Sequence, residues 1–285
     1  MKPEEHRRIV REITNAIASG WERQRMRIEG IVTPLREWMI QQLALKPGDT
    51  VLELAAGAGD TGFEAAMMIG ESGRLISTDF SPEMVEVARR RGAALRLRNV
   101  DYRVMDAERI GLDAASVDGV LCRFGYMLMA DPAAALSETR RVLRPDGRLA
   151  LSVWSAPERN PWLTVLARVL VERGHMPPPE PGAPDPFSMA SEERTQALLT
   201  GAGFTAVRTK EVSVCFAFRD SDDYVSFASD TAGPFAIVLR GLSNGERKEL
   251  QRQLDNAFAG FVANGGYELP GIALAAIGVA PKHDL

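Results

Sequence analysis

The spacing of hydrophobic side chains divides the chain into a short helical start and a longer mixed region. Residues 4–18 and 34–45 carry apolar positions at helical spacing. The breaker Lys46-Pro47-Gly48-Asp49 follows, and short apolar segments then alternate with helical ones. The pattern therefore predicts an N-terminal helical cap over residues 1–46.

After this breaker, five short apolar segments have the length and composition of buried strands. They cover residues 51–54, 74–78, 102–105, 117–122 and 148–154. Helical segments separate them, and the one after the second strand begins with Ser81 as N-cap and Pro82 in its first turn. Such alternation predicts an α/β core over residues 47–155, a parallel doubly wound sheet with helices on both faces. Ligands of such sheets bind beyond the carboxyl ends of the strands.

The C-terminal part, residues 156–285, is less regular. Its prolines, which include the run from Pro177 to Pro186, are incompatible with regular helix or inner strand and predict a lid insertion near 156–190. A second insertion near 220–262 is predicted to hold about two helices. Strands near 206–218 and 272–280 are expected to complete the sheet of the core.

Composition narrows the class of protein. Hydrophobic residues make up 45% and charged residues 25% of the 285, as in ordinary globular proteins, and the net charge of −4 does not favour a nucleic-acid partner. Apolar stretches stay well short of the roughly 20 residues of a membrane span, and the charged N-terminus lacks a signal-peptide core. The expectation is a cytoplasmic protein without integral membrane association. Two cysteines predict neither a disulfide framework nor a cysteine-based metal site.

A glycine-rich loop is the strongest local motif. Gly57-Ala58-Gly59-Asp60-Thr61-Gly62 lies between the first predicted strand and a helix, where glycines let a cofactor approach the backbone. The same letters fit the fingerprint of dinucleotide binders, so a nicotinamide-dependent oxidoreductase is the competing hypothesis. Asp79, 22 residues after Gly57, suits the ribose hydroxyls of either cofactor.

Two observations weigh against the oxidoreductase. Glu53, just before the loop, would face the cationic end of an amino-acid-bearing cofactor but would repel a pyrophosphate. A short-chain dehydrogenase would need a tyrosine followed four residues later by lysine. The residues four positions after Tyr102, Tyr126, Tyr224 and Tyr267 are Asp106, Ala130, Ala228 and Gly271. That oxidoreductase class is therefore disfavoured.

Four segments in order resemble the class I S-adenosylmethionine (SAM)-dependent methyltransferases, and within them the ubiquinone/menaquinone-biosynthesis type and its small-molecule relatives. The segments are residues 51–59, 78–84, 105–108 and 143–149, and the resemblance covers roughly residues 45–155. It implies a Rossmann-like sheet of seven strands in the order 3-2-1-4-5-7-6, with the last strand antiparallel. It also implies SAM as cofactor and S-adenosylhomocysteine as product.

The resemblance also implies which residues bind the cofactor. Ala55, Gly57 and Gly59 would line its methionine part, with Glu53 near the amino group, and Asp79 would hold the ribose. Around the adenine it implies Phe80 and Met84 on the ring faces, Asp106 as acceptor and the Ala107 amide as donor. Arg123 would border the sulfonium.

The acceptor side is expected to be aromatic, because aromatic side chains, Trp154 among them, concentrate near the predicted lid. The candidate substrate-binding residues are Trp21, Phe124, Tyr126 and Trp154. The resemblance implies that Phe124 borders the methyl acceptor, and Trp21 would close over SAM, with a position in the core as the alternative. The sequence Cys122-Arg123-Phe124-Gly125-Tyr126 differs from the Asp-Pro-Pro-Tyr pattern of enzymes that methylate amide or nucleobase nitrogen. His175 is the candidate general base, and an ordinary loop histidine is the alternative.

The expected function is methyl transfer from SAM to oxygen or carbon of a small, largely apolar or aromatic metabolite in a lidded pocket, without a metal. The alternatives are the nicotinamide-dependent oxidoreductase and a SAM-binding protein without catalysis. The sequence leaves open a homodimer, the identity of the acceptor and the use of a base.

Overall fold

The computed structural model describes residues 3–178 and 184–282, and within them nine α-helices and eight strands. The helices are α1 (Pro3–Leu43), α2 (Asp60–Ile69), α3 (Pro82–Ala94), α4 (Pro132–Val142), α5 (Pro161–Glu172), α6 (Glu192–Gly201), α7 (Ser221–Thr231), α8 (Pro234–Gly241) and α9 (Asn244–Ala257). The strands are β1 (Thr50–Glu53), β2 (Arg74–Asp79), β3 (Val100–Val104), β4 (Val117–Arg123), β5 (Leu143–Trp154), β6 (Thr205–Phe218), β7 (Val262–Ala263) and β8 (Gly266–Val279).

The eight strands form one mixed sheet in the order β3-β2-β1-β4-β5-β8-β6, and β7 pairs with β8. Strands β1 to β5 are parallel, whereas β8 runs antiparallel to both β5 and β6. With the two-residue β7 set aside, this is the predicted order with the last strand antiparallel. The fold-class prediction is therefore confirmed.

The N-terminal cap differs from its prediction, because the two predicted helical segments belong to one helix. Helix α1 has 41 residues and contains Pro34, so it extends over about 60 Å at 1.5 Å per residue. Its middle stays helical because Ile28 and Val32 are buried against the domain. Helix α1 contacts α2, α3 and α7, as well as strands β4, β5, β6 and β8.

The C-terminal part also differs in detail. Residues 220–262 hold three helices rather than about two, because Gly233 takes a φ of 50° before Pro234 and separates α7 from α8. Of the predicted lid near 156–190, helix α5 is formed, while residues 179–183 of its proline run lie outside the described residues.

Strand β8 begins earlier than the predicted strand at 272, and Pro270 explains the difference. Residues 273–279 pair with β5 on one side and β6 on the other, whereas Pro270 lies where β8 has β6 as its neighbour but has left β5. A proline is tolerated at such an edge, because the ladder hydrogen bond that it cannot donate is not needed there.

Replacement of two glycines of α1 by alanine should change the free energy of unfolding in opposite directions. A Cβ at Gly20 would lie 2.2 Å from the backbone oxygen of Asp230 in α7, whereas a Cβ at exposed Gly30 would meet nothing within 4 Å. We expect Gly30→Ala to raise the free energy of unfolding by about 0.5–1 kcal/mol, since alanine stabilises a helix interior. We expect Gly20→Ala to lower it by about 1–3 kcal/mol, since α1 and α7 must separate. Urea denaturation measures both, and equal effects would contradict this packing of α1.

Candidate active site

The glycine-rich loop joins β1 to α2 in an unusual backbone conformation. Ala55, Gly57 and Gly59 have φ values of 51°, 54° and 87°, so three alternate residues lie in the left-handed region. Gly59 is also confined by the ring of Phe63, which would be 2.5 Å from an added Cβ. The loop therefore turns tightly at the carboxyl end of β1 and leaves its backbone open to a ligand.

Asp79, the last residue of β2, connects this loop to the next one. Its Oδ2 accepts a hydrogen bond from the Gly57 amide at 2.9 Å, and its Oδ1 accepts one from the Ser81 amide at 2.9 Å. Burial raises the pKa of this carboxyl, although the surrounding backbone amides of Ser81, Gly57 and Phe80 lower it. Each carboxylate oxygen keeps a further lone pair, so Asp79 has the capacity to accept from two hydroxyl groups as well.

Glu53 lies beneath the first turn of α2. Its Oε1 accepts from the Gly62 amide at 2.7 Å, and Ser77 Oγ donates to its Oε2 at 3.3 Å. Burial raises the pKa of the carboxyl to about 8, against the opposing effects of the Gly62 amide and the Arg123 charge. The structure thus gives Glu53 partners within the protein, and its contact with a cofactor stays a prediction.

The segment after β3 is tied to the N-terminal helix. Asp106 Oδ1 accepts from the Glu108 amide at 2.9 Å, while Asp106 Oδ2 lies 3.6 Å from Nε of Arg7. Arg7 also forms an ion pair with Glu108. Ala107 is buried between these two acids. The predicted adenine end of the site is therefore bordered by the first turns of α1.

Further contacts of α1 reach the other predicted adenine residues. The guanidinium carbon of Arg11 lies 4.1 Å from the ring centroid of Phe80. Met84 and Ala58 pack in one small apolar cluster, defined by its α1 members Ile17 and Ala18 together with Val87 and Ala236. Trp21 packs against this cluster, and its Nε1 donates to the Thr231 oxygen of α7 at 3.1 Å. The first half of α1 thus covers the glycine loop and its neighbours.

The end of β4 brings a charged and an aromatic side chain to the same edge. A Cβ on Gly125 would lie 2.7 Å from Cβ of Ala55, so this segment touches the glycine loop. Arg123 Nη2 donates to Glu29 Oε1 of α1 at 2.7 Å. Phe124 takes a φ of 59°, and its ring stacks on Trp154 with centroids 4.1 Å apart and planes 12° apart.

The Phe124–Trp154 pair begins a continuous series of aromatic contacts. Trp154 meets Trp162 edge-on at 5.0 Å, and Trp162 stacks on Phe216 at 4.1 Å. Further apolar side chains surround a narrow recess beside this series, namely Trp162, Leu163, Leu166, Tyr224, Phe227, Ala228, Ala232 and Phe235. Aromatic side chains from the segment after β4 and from β5, α5 and β6 therefore extend from the glycine loop toward the C-terminal helices.

Two candidate residues are not brought to this edge. Tyr126 is fully buried, with Oη 2.6 Å from Thr139 Oγ1 of α4, and burial raises the pKa of its phenol well above the usual value. His175 follows α5, whose twelve residues begin beside Trp162, so about 18 Å of helix separates it from the aromatic series. The structure therefore gives Tyr126 a core position and His175 a place away from the glycine loop.

Sequence reasoning missed the α1 side chains Arg7, Arg11 and Glu29. The signal was weak, since Arg7 and Arg11 show only the four-residue spacing of one helix face. That spacing does not reveal what the face contacts. Gly62 was part of the sequence motif, and the structure shows why a glycine is needed there: an added Cβ would lie 2.1 Å from Glu53 Oε2.

Among residues 3–178 and 184–282, no helix combines the length and apolarity needed to cross a membrane. The same residues contain no group of three or more His, Cys, Asp or Glu side chains arranged to hold a metal ion.

Comparison with known proteins gives matches centred on this edge of the sheet. Residues 51–147 match the family model described as a methyltransferase domain. The arsenite methyltransferase of Halobacterium salinarum is 37% identical over 116 residues, which cover 40% of this chain and 30% of that protein. The ubiquinone/menaquinone biosynthesis C-methyltransferase of Pseudoalteromonas translucida is 35% identical over 129 residues, or 44% of this chain and 51% of that one. The matches thus span about half or less of these relatives.

Solved structures extend the likeness in fold to most of the chain. The YcgJ protein of Bacillus subtilis aligns with a TM-score of 0.61 at 21% identity, covering 87% of this chain and 98% of that one. The [4+2]-cyclase SpnF aligns with a TM-score of 0.52 at 17% identity, covering 87% of this chain and 80% of that one. At these identities the likeness shows the fold.

Glu53 should make the stability of the protein depend on pH. Its folded-state pKa of about 8 exceeds the ordinary 4.5, so its stabilising protonated form is fully present below about pH 4.5 and is lost toward pH 8. Relative to Glu53→Gln, which does not titrate, the wild type should lose about 1 kcal/mol per pH unit within that window. Urea denaturation measures the difference. Glu71→Gln, at an exposed turn, is the control, and a pH-independent difference for Glu53→Gln would contradict the burial of an ionisable carboxyl.

Proposed function

We propose that this chain transfers a methyl group from SAM to a small molecule, because residues 51–147 match the family model described as a methyltransferase domain. The acceptor atom is oxygen or carbon of a largely apolar or aromatic metabolite, and the product of the donor is S-adenosylhomocysteine. The main structural support for this function is the contact between Gly125 and Ala55. It sets the glycine loop directly beside the Phe124–Trp154 stack, so that donor and acceptor subsites adjoin.

The loops at the ends of β1 and β2 support SAM as the donor. The left-handed backbone at Ala55, Gly57 and Gly59 allows the methionine part to approach the chain closely. Asp79 faces the same place with lone pairs for both ribose hydroxyls. When bound, SAM supplies an electrophilic methyl group on a good leaving group, so no metal or covalent nucleophile is required of the protein.

The adenine end fits the side chains beyond β2 and β3. Phe80 and Met84 offer apolar surface to the ring faces, Asp106 offers a carboxylate oxygen to the amino group, and the Ala107 amide is the predicted donor to a ring nitrogen. One Asp106 oxygen already accepts from Glu108, and the other lies 3.6 Å from Arg7. Arg7 and the adenine amino group would therefore share the second oxygen.

The aromatic series supports an apolar or aromatic acceptor. A flat acceptor gains dispersion and apolar burial against Phe124 and Trp154, which lie 4.1 Å apart as a stacked pair. In this proposal the protein aligns the acceptor with the methyl group and excludes water through α1 and the C-terminal helices. We assign no general base, because Tyr126 is buried against Thr139 and His175 follows the end of α5 that is far from Trp162.

Arsenite, the acceptor in the name of the Halobacterium salinarum relative, does not suit this chain. Cys122 is fully buried, and burial raises the pKa of its thiol to about 12. Cys215 lies on β6, three strand positions from β4, which is roughly 14 Å across the sheet. Two such distant thiols cannot together bind an arsenic atom. A small organic acceptor, as the name of the C-methyltransferase implies for that relative, fits the aromatic site better.

Calorimetry separates this proposal from the oxidoreductase alternative. We expect S-adenosylhomocysteine to bind with micromolar affinity and NADH not to bind; binding of NADH alone would overturn the proposal.

Asp79→Asn should weaken S-adenosylhomocysteine binding about 30-fold or more, because hydrogen bonds to a charged acceptor are lost. Asp101→Asn, a carboxylate on β3 that pairs with Arg74 and Arg103, is the matched control. Unchanged affinity in Asp79→Asn would show that the ribose site lies elsewhere.

A further inference from the structure

A chain of four alternating charges links α1 to the end of β4. Arg123 Nη2 donates to Glu29 Oε1 at 2.7 Å, Arg36 pairs with the other Glu29 oxygen, and Arg36 Nε donates to Glu64 Oε2 at 2.6 Å. The side chains of Glu29 and Arg123 are 12% and 13% exposed, whereas Glu64 at the far end is 33% exposed. Glu29 is therefore the partner that neutralises Arg123 in a largely desolvated place.

Arg123 lies beside the start of the glycine loop, because it follows Leu121, the partner of Glu53 in the sheet, by two residues. Residue 125 touches Ala55, and the Arg123 charge is close enough to Glu53 to lower the pKa of that carboxyl. Asp60, at the start of α2, does not supply a free negative charge here, because it is already paired with Arg25 and Arg91. Without Glu29, the guanidinium of Arg123 would lose its ion-pair partner beside the donor subsite.

Such a guanidinium matters because the methyl donor is itself a cation at sulfur. Two positive charges within several ångströms repel, and burial strengthens the repulsion by lowering the effective dielectric constant. The product S-adenosylhomocysteine has a neutral thioether instead, because the electron pair of the broken carbon–sulfur bond stays on sulfur. The two ligands otherwise present the same groups to the protein.

We propose that Glu29 is a positioning residue for the methyl donor: its pairing with Arg123 removes the charge that would repel the sulfonium, and so favours SAM over its neutral product. This inference rests on the proposed function, since it needs the methionine part of SAM at the glycine loop. It assigns to α1 a part in selecting the donor, beyond covering it. Exchange of S-adenosylhomocysteine for SAM would then depend on Glu29, which lies outside the four sequence segments that resemble the methyltransferases.

The test compares the affinities of SAM and S-adenosylhomocysteine in one set of variants by calorimetry. In Glu29→Gln, which keeps the size of the side chain but replaces one of its two acceptor oxygens by a donor nitrogen, we expect SAM to weaken about five- to tenfold more than S-adenosylhomocysteine. Glu64→Gln changes the net charge by the same amount, at the far and more exposed end of the series of four charges. In this variant the ratio of the affinities for SAM and S-adenosylhomocysteine should change less than about twofold. In the double variant Glu29→Gln/Arg123→Gln both charges are gone, and the ratio should return toward the wild-type value.

The outcomes distinguish the alternatives. If Glu29→Gln weakens both ligands equally, Glu29 only ties α1 to β4, and the inference is overturned. If that variant does not fold, the double variant decides, since a ratio far from the wild-type value would contradict the inference as well. If the wild type binds neither ligand, the proposed function itself fails, a result that is distinct from an unchanged ratio in a protein that binds both.

Discussion

Two buried carboxyls hold the carboxyl edge of the sheet in the shape on which the site depends. Asp79 accepts from the amides of Gly57 and Ser81, and Glu53 accepts from that of Gly62. A buried acceptor of this kind is costly unless its partners stay in place. The loops after β1 and β2 and the start of α2 are therefore fixed as one unit, and the left-handed residues of the glycine loop follow from that constraint.

Helix α1 completes the site from the opposite side. Arg7 and Arg11 contact the segments after β3 and β2, and Glu29 contacts the last residue of β4. These contacts are charged or polar and lie beside apolar packing around Trp21. Contacts with a ligand can replace polar contacts between a helix and loop ends, whereas they cannot replace the close packing of a core. The arrangement therefore suits a surface that both encloses a cofactor and lets it enter.

The sequence predicted what local chemistry determines. The glycine loop, Asp79 at the end of β2 and the strand order could all be predicted, because turn conformation, strand ends and family motifs are local signals. The single long α1, the burial of Tyr126 against Thr139 and the distance of His175 from the loop depend on tertiary packing. Glu29 was missed for the same reason: its partner Arg123 is 94 residues away, and neither residue type alone indicates an ion pair across the site.

The central claim, that this site moves a methyl group from SAM to a small organic molecule, is tested most directly with donor that carries a trideuterated methyl group. The protein would be incubated with that donor and a panel of apolar and aromatic metabolites, and the mixture analysed by mass spectrometry. We expect one labelled small molecule to form for each S-adenosylhomocysteine. Tight binding of SAM with no labelled product across phenolic, enolic and carboxylic acceptors, or label found on nucleic acid instead, would contradict it.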